Sequence, residues 1–184
     1  MMRVITGTAR GARLKTLEGD HTRPTTERTK EAVFSMIQFD IEGRAVLDLF
    51  AGSGQMGIEA LSRGAHHAVF VENDAAAAAI VKQNLLTARV AEHATLLQRD
   101  ALDFCRRPSG KFDIVFLDPP YASGLLESVL PAVATLLNRG GTVICETAPE
   151  TELPETVGEL RLVRDQRYGR SRIRLYRQGR EEEE

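Results

Sequence analysis

Four consecutive residues near the middle of the chain combine a carboxylate, two prolines and an aromatic ring: Asp118, Pro119, Pro120 and Tyr121. They follow an apolar run at 114–117 that is typical of a buried strand. Proline fixes φ and holds the preceding residue extended, so the Asp118 carboxylate and the Pro119 carbonyl can converge on one donor group. With the Tyr121 ring as a stacking surface, this arrangement suits an exocyclic amine of a nucleobase. The alternative interpretation is an ordinary strand-to-helix turn in which proline only ends the strand.

A glycine-rich turn lies upstream, with the sequence GSGQMG at residues 52–57. Glycine allows tight turning and close approach of the backbone to a ligand, and the GxGxxG spacing after a strand is typical of nucleotide-binding turns. Glu72 stands 20 residues after Gly52, at the end of the next predicted strand, where a carboxylate can accept hydrogen bonds from a ribose diol. These features predict an adenosine-containing cofactor, which could be a dinucleotide or S-adenosylmethionine.

Two further carboxylates favour S-adenosylmethionine. Asp48, at the end of the first predicted strand, would repel a pyrophosphate but attract the cationic amino group and sulfonium of that cofactor. Asp100 follows the third strand, where its carboxylate can accept from the adenine N6 amine. Taken singly, Asp48 could bind a turn, and Glu72 or Asp100 could cap a helix. Their joint placement at successive strand ends favours a methyltransferase over a dehydrogenase.

The elements that must position these residues alternate between strand and helix. The arm at the N-terminus predicts short strands at 3–6 and 11–17, and Thr25 or Thr26 can cap a helix that opens near Glu27. The alternating part predicts strands at 45–50, 68–71, 94–98, 114–117 and 142–145 and helices at 58–63, 74–87 and 125–137. Residues 160–167 and 172–177 predict a closing hairpin.

This alternation predicts an α/β Rossmann-like fold of the class I methyltransferase type. We expect a mostly parallel seven-stranded sheet with helices on both faces, an antiparallel C-terminal hairpin and a small N-terminal β-hairpin arm. We divide the chain into a basic arm at 1–25, a methyltransferase domain at 26–178 and an acidic, disordered tail at 179–184.

Composition is ordinary for a soluble globular protein. The chain has 184 residues, of which 42% are hydrophobic and 27% charged. It lacks both the run of about 18 apolar residues that a membrane span needs and the apolar core of a signal peptide. Cys105 and Cys145 lie far apart, and the four histidines show no metal-ligand spacing. We therefore expect a cytoplasmic protein with reduced cysteines and without a metal site.

Charge is segregated along the chain although the net charge is only −2. Residues 1–30 carry +4, residues 31–159 carry −9 and residues 160–180 carry +7. Basic segments are typical of a polyanion-binding protein, while the alternative is simply solvated surface arginine. The arginine-rich segment at 160–180 is a second candidate surface. The first candidate phosphate contacts lie at the N-terminus: Arg3, Arg10, Arg13, Lys15, Arg23, Thr25, Arg28 and Lys30.

Together these motifs resemble a class I S-adenosylmethionine-dependent methyltransferase, and more closely the bacterial RsmD family. Enzymes of that family methylate N2 of one guanine in 16S ribosomal RNA. The resemblance runs from residue 3 to about residue 177, and Gln55-Met56 departs from the small or apolar residues that the family more often shows there. The matching segments are 3–7 (RVITG), 23–28 (RPTTER), 47–54 (LDLFAGSG), 57–65 (GIEALSRGA), 70–72 (FVE) and 112–121 (FDIVFLDPPY).

The resemblance implies a guanine-N2 methyltransferase that acts on 16S ribosomal RNA, within a small-subunit particle and as a monomer. Catalysis would fall to Asp118, Pro119, Pro120 and Tyr121. The expected cofactor site comprises Asp48, Phe50, Ala51, Gly52, Ser53, Gly54, Glu72, Asn73, Asp100, Ala101 and Asp118.

Three other functions stay open at this point. The same layout occurs in enzymes that methylate adenine N6 in DNA or glutamine in proteins, although these usually carry an added recognition domain. A nucleic-acid-binding module with a vestigial cofactor site is a second alternative, and a nicotinamide oxidoreductase is a third.

Overall fold

The computed structural model describes residues 2–17, 26–120 and 124–179. In these ranges the helices are α1 (Glu27–Met36), α2 (Gln55–Ser62), α3 (Ala75–Thr87), α4 (Ala101–Arg106) and α5 (Leu125–Leu136). The strands are β1 (Met2–Arg3), β2 (Arg13–Leu14), β3 (Ala45–Asp48), β4 (His67–Glu72), β5 (Ala94–Gln98), β6 (Phe112–Leu117), β7 (Leu137–Thr147), β8 (Thr156–Val157), β9 (Leu160–Tyr168) and β10 (Ser171–Gln178).

Eight of the described strands form one sheet in the order β5-β4-β3-β6-β7-β10-β9-β8. The five strands β5, β4, β3, β6 and β7 are parallel to one another, whereas β10 runs antiparallel to β7 and β9. Within this sheet, the first strand in the chain is β3. The chain then continues outward through β4 to β5 and returns to form β6 on the other side of β3. The strand order therefore reverses between β3 and β6, which is where α/β sheets bind ligands.

The predicted α/β fold is confirmed, with its parallel sheet and antiparallel hairpin. The seven predicted strands are present, and the two-residue strand β8 extends the edge beyond them. Strands β1 and β2 pair antiparallel as a separate hairpin at the N-terminus. Thr26 caps α1, and its side chain accepts a hydrogen bond from the Thr29 amide.

Several boundaries differ from the prediction, two of them for identifiable reasons, and one helix was not predicted. Helix α2 begins at Gln55 because Gly54, at φ 80°, turns the chain directly into the helix. Residues 138–141, which lie between the predicted helix at 125–137 and the predicted strand at 142–145, belong to an 11-residue β7 whose first residue Leu137 pairs with Phe112. Helix α4 was not predicted, because its six residues are too short to show a helical period.

The core has two parts, one on each face of the sheet. One part joins the N-terminal arm, α1, α2 and α3 through residues such as Val4, Phe34 and Ile58. The other joins α4 and α5 through residues such as Phe104 and Val133. Helices therefore cover both faces, as expected for strands buried on both sides. Within the described part of the chain, no helix is long and apolar enough to cross a membrane.

Helix α2 lies unusually close to strand β4. A Cβ atom added at Gly57 would stand 2.3 Å from the Phe70 ring, which is itself fully buried. The small residue lets the first turn of α2 approach the sheet, and that turn carries the end of the glycine-rich loop. The glycine at 57 therefore serves packing, while those at 52 and 54 serve backbone conformation, with φ of 56° and 80°.

We expect Gly57→Ala to lower the free energy of unfolding by about 1–3 kcal/mol, because the added methyl overpacks the core against Phe70. At an uncrowded helix position the same change would be stabilising by about 0.5–1 kcal/mol. Chemical denaturation would measure the effect. The matched control is the double variant Gly57→Ala/Phe70→Leu, in which the smaller side chain makes room. If the two changes were simply additive, the steric explanation would be wrong.

Candidate active site

The carboxyl ends of four neighbouring strands meet along one edge of the sheet. In the order β5, β4, β3 and β6, they are followed by or end in Asp100, Glu72, Asp48 and Asp118. A cavity of about 890 Å³ opens at this edge. The structure brings nearly all the predicted site residues together there, and those that line the cavity are Asp48, Phe50, Ala51, Gly52, Ser53, Glu72, Asn73, Asp100, Ala101, Asp118 and Pro120.

Glu72 holds the glycine-rich turn in place. One of its carboxylate oxygens accepts from the Gly52 amide at 2.7 Å, and the other accepts from the Asp74 amide at 2.8 Å. Asp74 in turn caps α3 by accepting from the Ala77 amide. The carboxylate is therefore oriented by backbone donors on two sides, at the rim of the cavity, and is fixed before a ligand arrives.

Asp48 lies deeper, at the end of β3, and is only 3% exposed. Its carboxylate accepts from the Gly57 amide at the start of α2, at 3.0 Å. Burial raises the pKa of Asp48 to about 7; the bond from Gly57 opposes this shift and the nearby Glu72 charge adds to it. The turn-binding role considered from the sequence is therefore present, yet the same carboxyl also lines the cavity.

Asp100 lines the cavity and also caps a helix. One of its oxygens accepts from the Asp103 amide and so starts α4. The adjacent Arg99 also lines the cavity, but its guanidinium bonds to the Asp103 carboxylate and to the backbone oxygens of Asp103 and Arg107. The one cationic side chain among the described lining residues is thus neutralised, and the cavity keeps an acidic character.

The predicted amine-binding turn follows β6 as expected. Asp118 is partly buried, Pro119 is buried and Pro120 is exposed. Asp118 and Pro120 border the cavity, whereas Pro119 and Gly54, both predicted site residues, do not line it. Tyr121 lies outside the described residues. Strand β6 lies beside β3, and its Phe116 pairs with Asp48. Asp118 follows Phe116 by two residues, so both carboxylates lie at the same end of the two strands.

The N-terminal arm contributes a wall of the cavity that the sequence did not predict. Met2, Thr16 and Leu17 line it beside the glycine-rich turn. The Met2 sulfur accepts a hydrogen bond from the Ser53 hydroxyl at 3.3 Å. These residues belong to no nucleotide-binding motif, so the only signal for them was the apolar character of Met2 and Leu17 in a basic segment.

Five of the predicted phosphate contacts are exposed: Arg3, Arg10, Arg13, Lys15 and Arg28. Arg3 also pairs with Glu27, at 3.0 Å, in a solvent-exposed salt bridge. Arg23 and Thr25 lie outside the described residues. The exposed set therefore lies at the surface of the arm and of α1, and Arg3 and Lys15 are chain neighbours of the cavity-lining residues Met2 and Thr16.

Lys30 is a correction to the prediction. Its side chain is 1% exposed, and its ammonium donates to the Arg3 backbone oxygen at 2.7 Å and lies 3.5 Å from Glu59. Burial lowers the pKa of Lys30, while the Glu59 carboxylate opposes that shift. The sequence could not reveal this, because the buried partner Glu59 is far away along the chain. Lys30 fastens the arm and does not present its charge to a ligand.

Several arginines of the C-terminal hairpin are also structural. Arg174 is 1% exposed and bonds to Asp165, Thr147 and Thr151, and Arg172 bonds to the two oxygens of Asp165 at 2.7 Å. Arg177 pairs with Asp40. As a phosphate-binding surface this hairpin is accordingly reduced to its exposed members, which are Arg161, Arg164, Arg167 and Arg170.

Comparison with known proteins agrees with the geometry. Residues 2–177 match the family described as "Conserved hypothetical protein 95". The chain belongs to the RsmD family of methyltransferases. It is 42% identical to YlbH of Bacillus subtilis over 181 residues, covering 96% of this chain and 98% of that protein.

Other RsmD-family relatives span most of the chain as well. Ribosomal RNA small subunit methyltransferase D of Escherichia coli is 34% identical over 181 residues, covering 95% of this chain and 89% of its own length. The solved structure of yhhF from Escherichia coli superimposes with a TM-score of 0.86 at 34% identity, over 96% of this chain and 97% of that one. The RsmD fold predicted from the motifs is therefore confirmed over nearly the whole chain.

We expect the melting temperature of Asp48→Asn, minus that of the unchanged protein, to grow as pH rises from 4 to 7 and to level off above about 7. The folded pKa of about 7 lies above the ordinary value of 3.8, so the folded protein keeps a proton that the unfolded chain releases. Stability from this group is full below pH 4 and falls as pH approaches 7. Differential scanning fluorimetry across this range measures it, with Glu92→Gln, at an exposed site, as the control. A constant difference would contradict the assignment.

Proposed function

We propose that this RsmD-family protein transfers a methyl group from S-adenosylmethionine to the exocyclic N2 amine of a guanine in 16S ribosomal RNA. The observation that carries this proposal is the convergence of Asp118 and Pro120 with Asp48 and Glu72 on one cavity. The E. coli relative named as ribosomal RNA small subunit methyltransferase D supports ribosomal RNA as the substrate class. We further propose that the protein acts in the cytoplasm as a monomer, on a small-subunit particle.

The side chains of the cavity fit S-adenosylmethionine better than a dinucleotide. Glu72 suits a ribose diol, and Asp48 lies where a cationic ligand would lower the cost of its charge. The described lining offers Arg99 as its one cation, and Asp103 already neutralises it. A pyrophosphate would thus meet carboxylates without a compensating charge. S-adenosylmethionine, when bound, supplies a methyl group on a positively charged sulfur.

The residues after β6 would activate the amine by orienting it. The N2 nitrogen of guanine is a poor nucleophile, because its lone pair is delocalised into the ring. The Asp118 carboxylate and the Pro119 carbonyl would each accept one N–H, which favours pyramidal geometry at the nitrogen. As positive charge develops on that nitrogen, the two acceptors stabilise it. Tyr121 would stack on the base, and positioning would supply much of the rate enhancement.

The RNA would be held mainly by its backbone. The target base would have to leave its stack to enter the cavity. We assign the arm at 1–25 to this task, because it carries exposed basic residues and also contributes Met2, Thr16 and Leu17 to the cavity wall. Such contacts favour RNA shape over sequence. The domain at 26–178 would then carry the chemistry and the tail at 179–184 would take no part in it.

We expect Asp118→Ala to lower kcat for methyl transfer by about 10²-fold or more while leaving the affinity for S-adenosylmethionine nearly unchanged. The assay is transfer of labelled methyl to small subunits or 16S ribosomal RNA from cells lacking this protein, with calorimetry for cofactor binding. The control is Glu92→Gln, an exposed residue just before the amino end of β5, whereas the cavity lies at the carboxyl ends of the strands. Equal losses of turnover and cofactor affinity would count against the assigned role, and label on DNA or protein alone would redirect the substrate assignment.

Removing charge from the arm should weaken RNA binding in a salt-dependent way. For Arg13→Ala and Lys15→Ala, we expect the slope of log K against log salt to become shallower by about 0.7–0.9 per lost phosphate contact. The matched control is Lys111→Ala, an exposed lysine just before the amino end of β6, whereas the cavity lies at the carboxyl ends of the strands. Fluorescence anisotropy with 16S ribosomal RNA at several salt concentrations measures the slope. If the arm variants and the control behaved alike, the arm would not be the phosphate-binding element.

A further inference from the structure

Asn84 is a buried polar residue that none of the predicted site motifs includes. It lies on α3, is fully buried, and points toward the N-terminal arm. Its side-chain oxygen accepts from the Lys15 amide at 2.7 Å, and its nitrogen donates to the Lys15 carbonyl at 2.9 Å. The same nitrogen also donates a hydrogen bond to the Ser53 carbonyl at 2.8 Å. One side chain therefore clamps the arm and the glycine-rich turn to each other.

The two segments that Asn84 joins serve different ligands in the proposed function. Ser53 belongs to the turn at the cofactor cavity, and Lys15 belongs to the basic arm. The residues directly after Lys15, Thr16 and Leu17, form part of the cavity wall. We call the arm seated when Lys15 is bonded to Asn84 in this way. The seated arm completes the cavity wall with residues 16–17 and also carries exposed basic side chains.

The bonding of Asn84 also makes an alternative amide orientation costly. Rotating the amide by 180° would set its amino group against the Lys15 amide and its oxygen against two carbonyls. Since the group is fully buried, water cannot replace these lost bonds. The residues at 15–17 accordingly have one favoured position relative to the turn, which Asn84 defines.

We propose that Asn84 is a positioning residue that couples the two binding events, so that cofactor binding raises the affinity for RNA. This inference rests on the proposed function. A cofactor that contacts both the turn and residues 16–17 binds the seated arm more tightly than an unseated one, and it shifts the population to the seated state. RNA then binds an arm that is already ordered. By linkage, RNA must raise the affinity for the cofactor by the same factor.

The test measures this factor with S-adenosylhomocysteine, which lacks the transferable methyl group. In the unchanged protein we expect saturating S-adenosylhomocysteine to tighten binding of 16S ribosomal RNA by about fivefold or more. In Asn84→Ala and in Asn84→Asp, which keeps only the acceptor for the Lys15 amide, the factor should fall toward one. Gln83→Ala, an exposed neighbour on α3, is the control and should keep the full factor. If Asn84 only supported the fold, its replacement would lower the RNA affinity equally with and without S-adenosylhomocysteine. The ratio of these two affinities would then stay the same.

A second measurement applies should the Asn84 variants fail to fold. Hydrogen exchange of the unchanged protein should show slower exchange at the Lys15 amide when S-adenosylhomocysteine binds. Unchanged exchange at Lys15, together with protection at Gly52, would overturn the coupling. Independent binding of the two ligands with methyl transfer intact would also overturn it and leave the proposed function standing. Failure to bind S-adenosylhomocysteine or to methylate RNA would instead refute the proposed function itself.

Discussion

The Glu59 carboxylate, fully buried on α2, joins three elements beside the glycine-rich turn: the N-terminal arm, α1 and α2. It accepts from the Ile5 and Thr6 amides at 2.9 and 3.0 Å, pairs with Arg63, and faces the buried ammonium of Lys30. A buried charge is tolerated only when it is paired and hydrogen-bonded, so these partners are obligatory. Through them one side chain holds residues 3–6 of the arm, α1 and α2 in a fixed relation, next to the glycine-rich turn that opens α2.

Other contacts join the arm to the C-terminal end of α2, away from the residues that line the cavity. The Ser62 hydroxyl, on the same helix, accepts from the Ala9 amide and donates to the Thr6 carbonyl. Gly7 sits so close that a Cβ atom there would stand 1.8 Å from the Ser62 carbonyl oxygen. The Arg63 guanidinium lies 4.6 Å from the centre of the Phe34 ring on α1. The arm is therefore built onto α2 by backbone and side-chain contacts and does not rest on its own short hairpin.

The sequence predicted the parts of the site that depend on local spacing. The glycine turn, Glu72 at the next strand end and the Asp118-Pro119 turn follow from periodicity and strand order, and most of them line one cavity. It failed where the answer depended on distant partners. Lys30 and Arg174 look like surface charges along the chain, and only their contacts with Glu59 and Asp165 show that they are interior. The arm's share of the cavity wall was hidden for the same reason.

The pairing of Arg99 with Asp103 has a consequence for selectivity among the nucleotides of a cell. Adenosine triphosphate and the nicotinamide dinucleotides share the adenosine half of S-adenosylmethionine and would compete for the same pocket. An arginine without a partner would attract their phosphates, whereas Arg99 on this lining is engaged by the Asp103 carboxylate, which also pairs with Arg107. With Asp48 and Glu72 on the lining, the pocket repels polyanionic competitors while admitting a cationic ligand. Under the proposed function, the pocket would select the methyl donor as much by repelling competing anions as by attracting a cationic ligand.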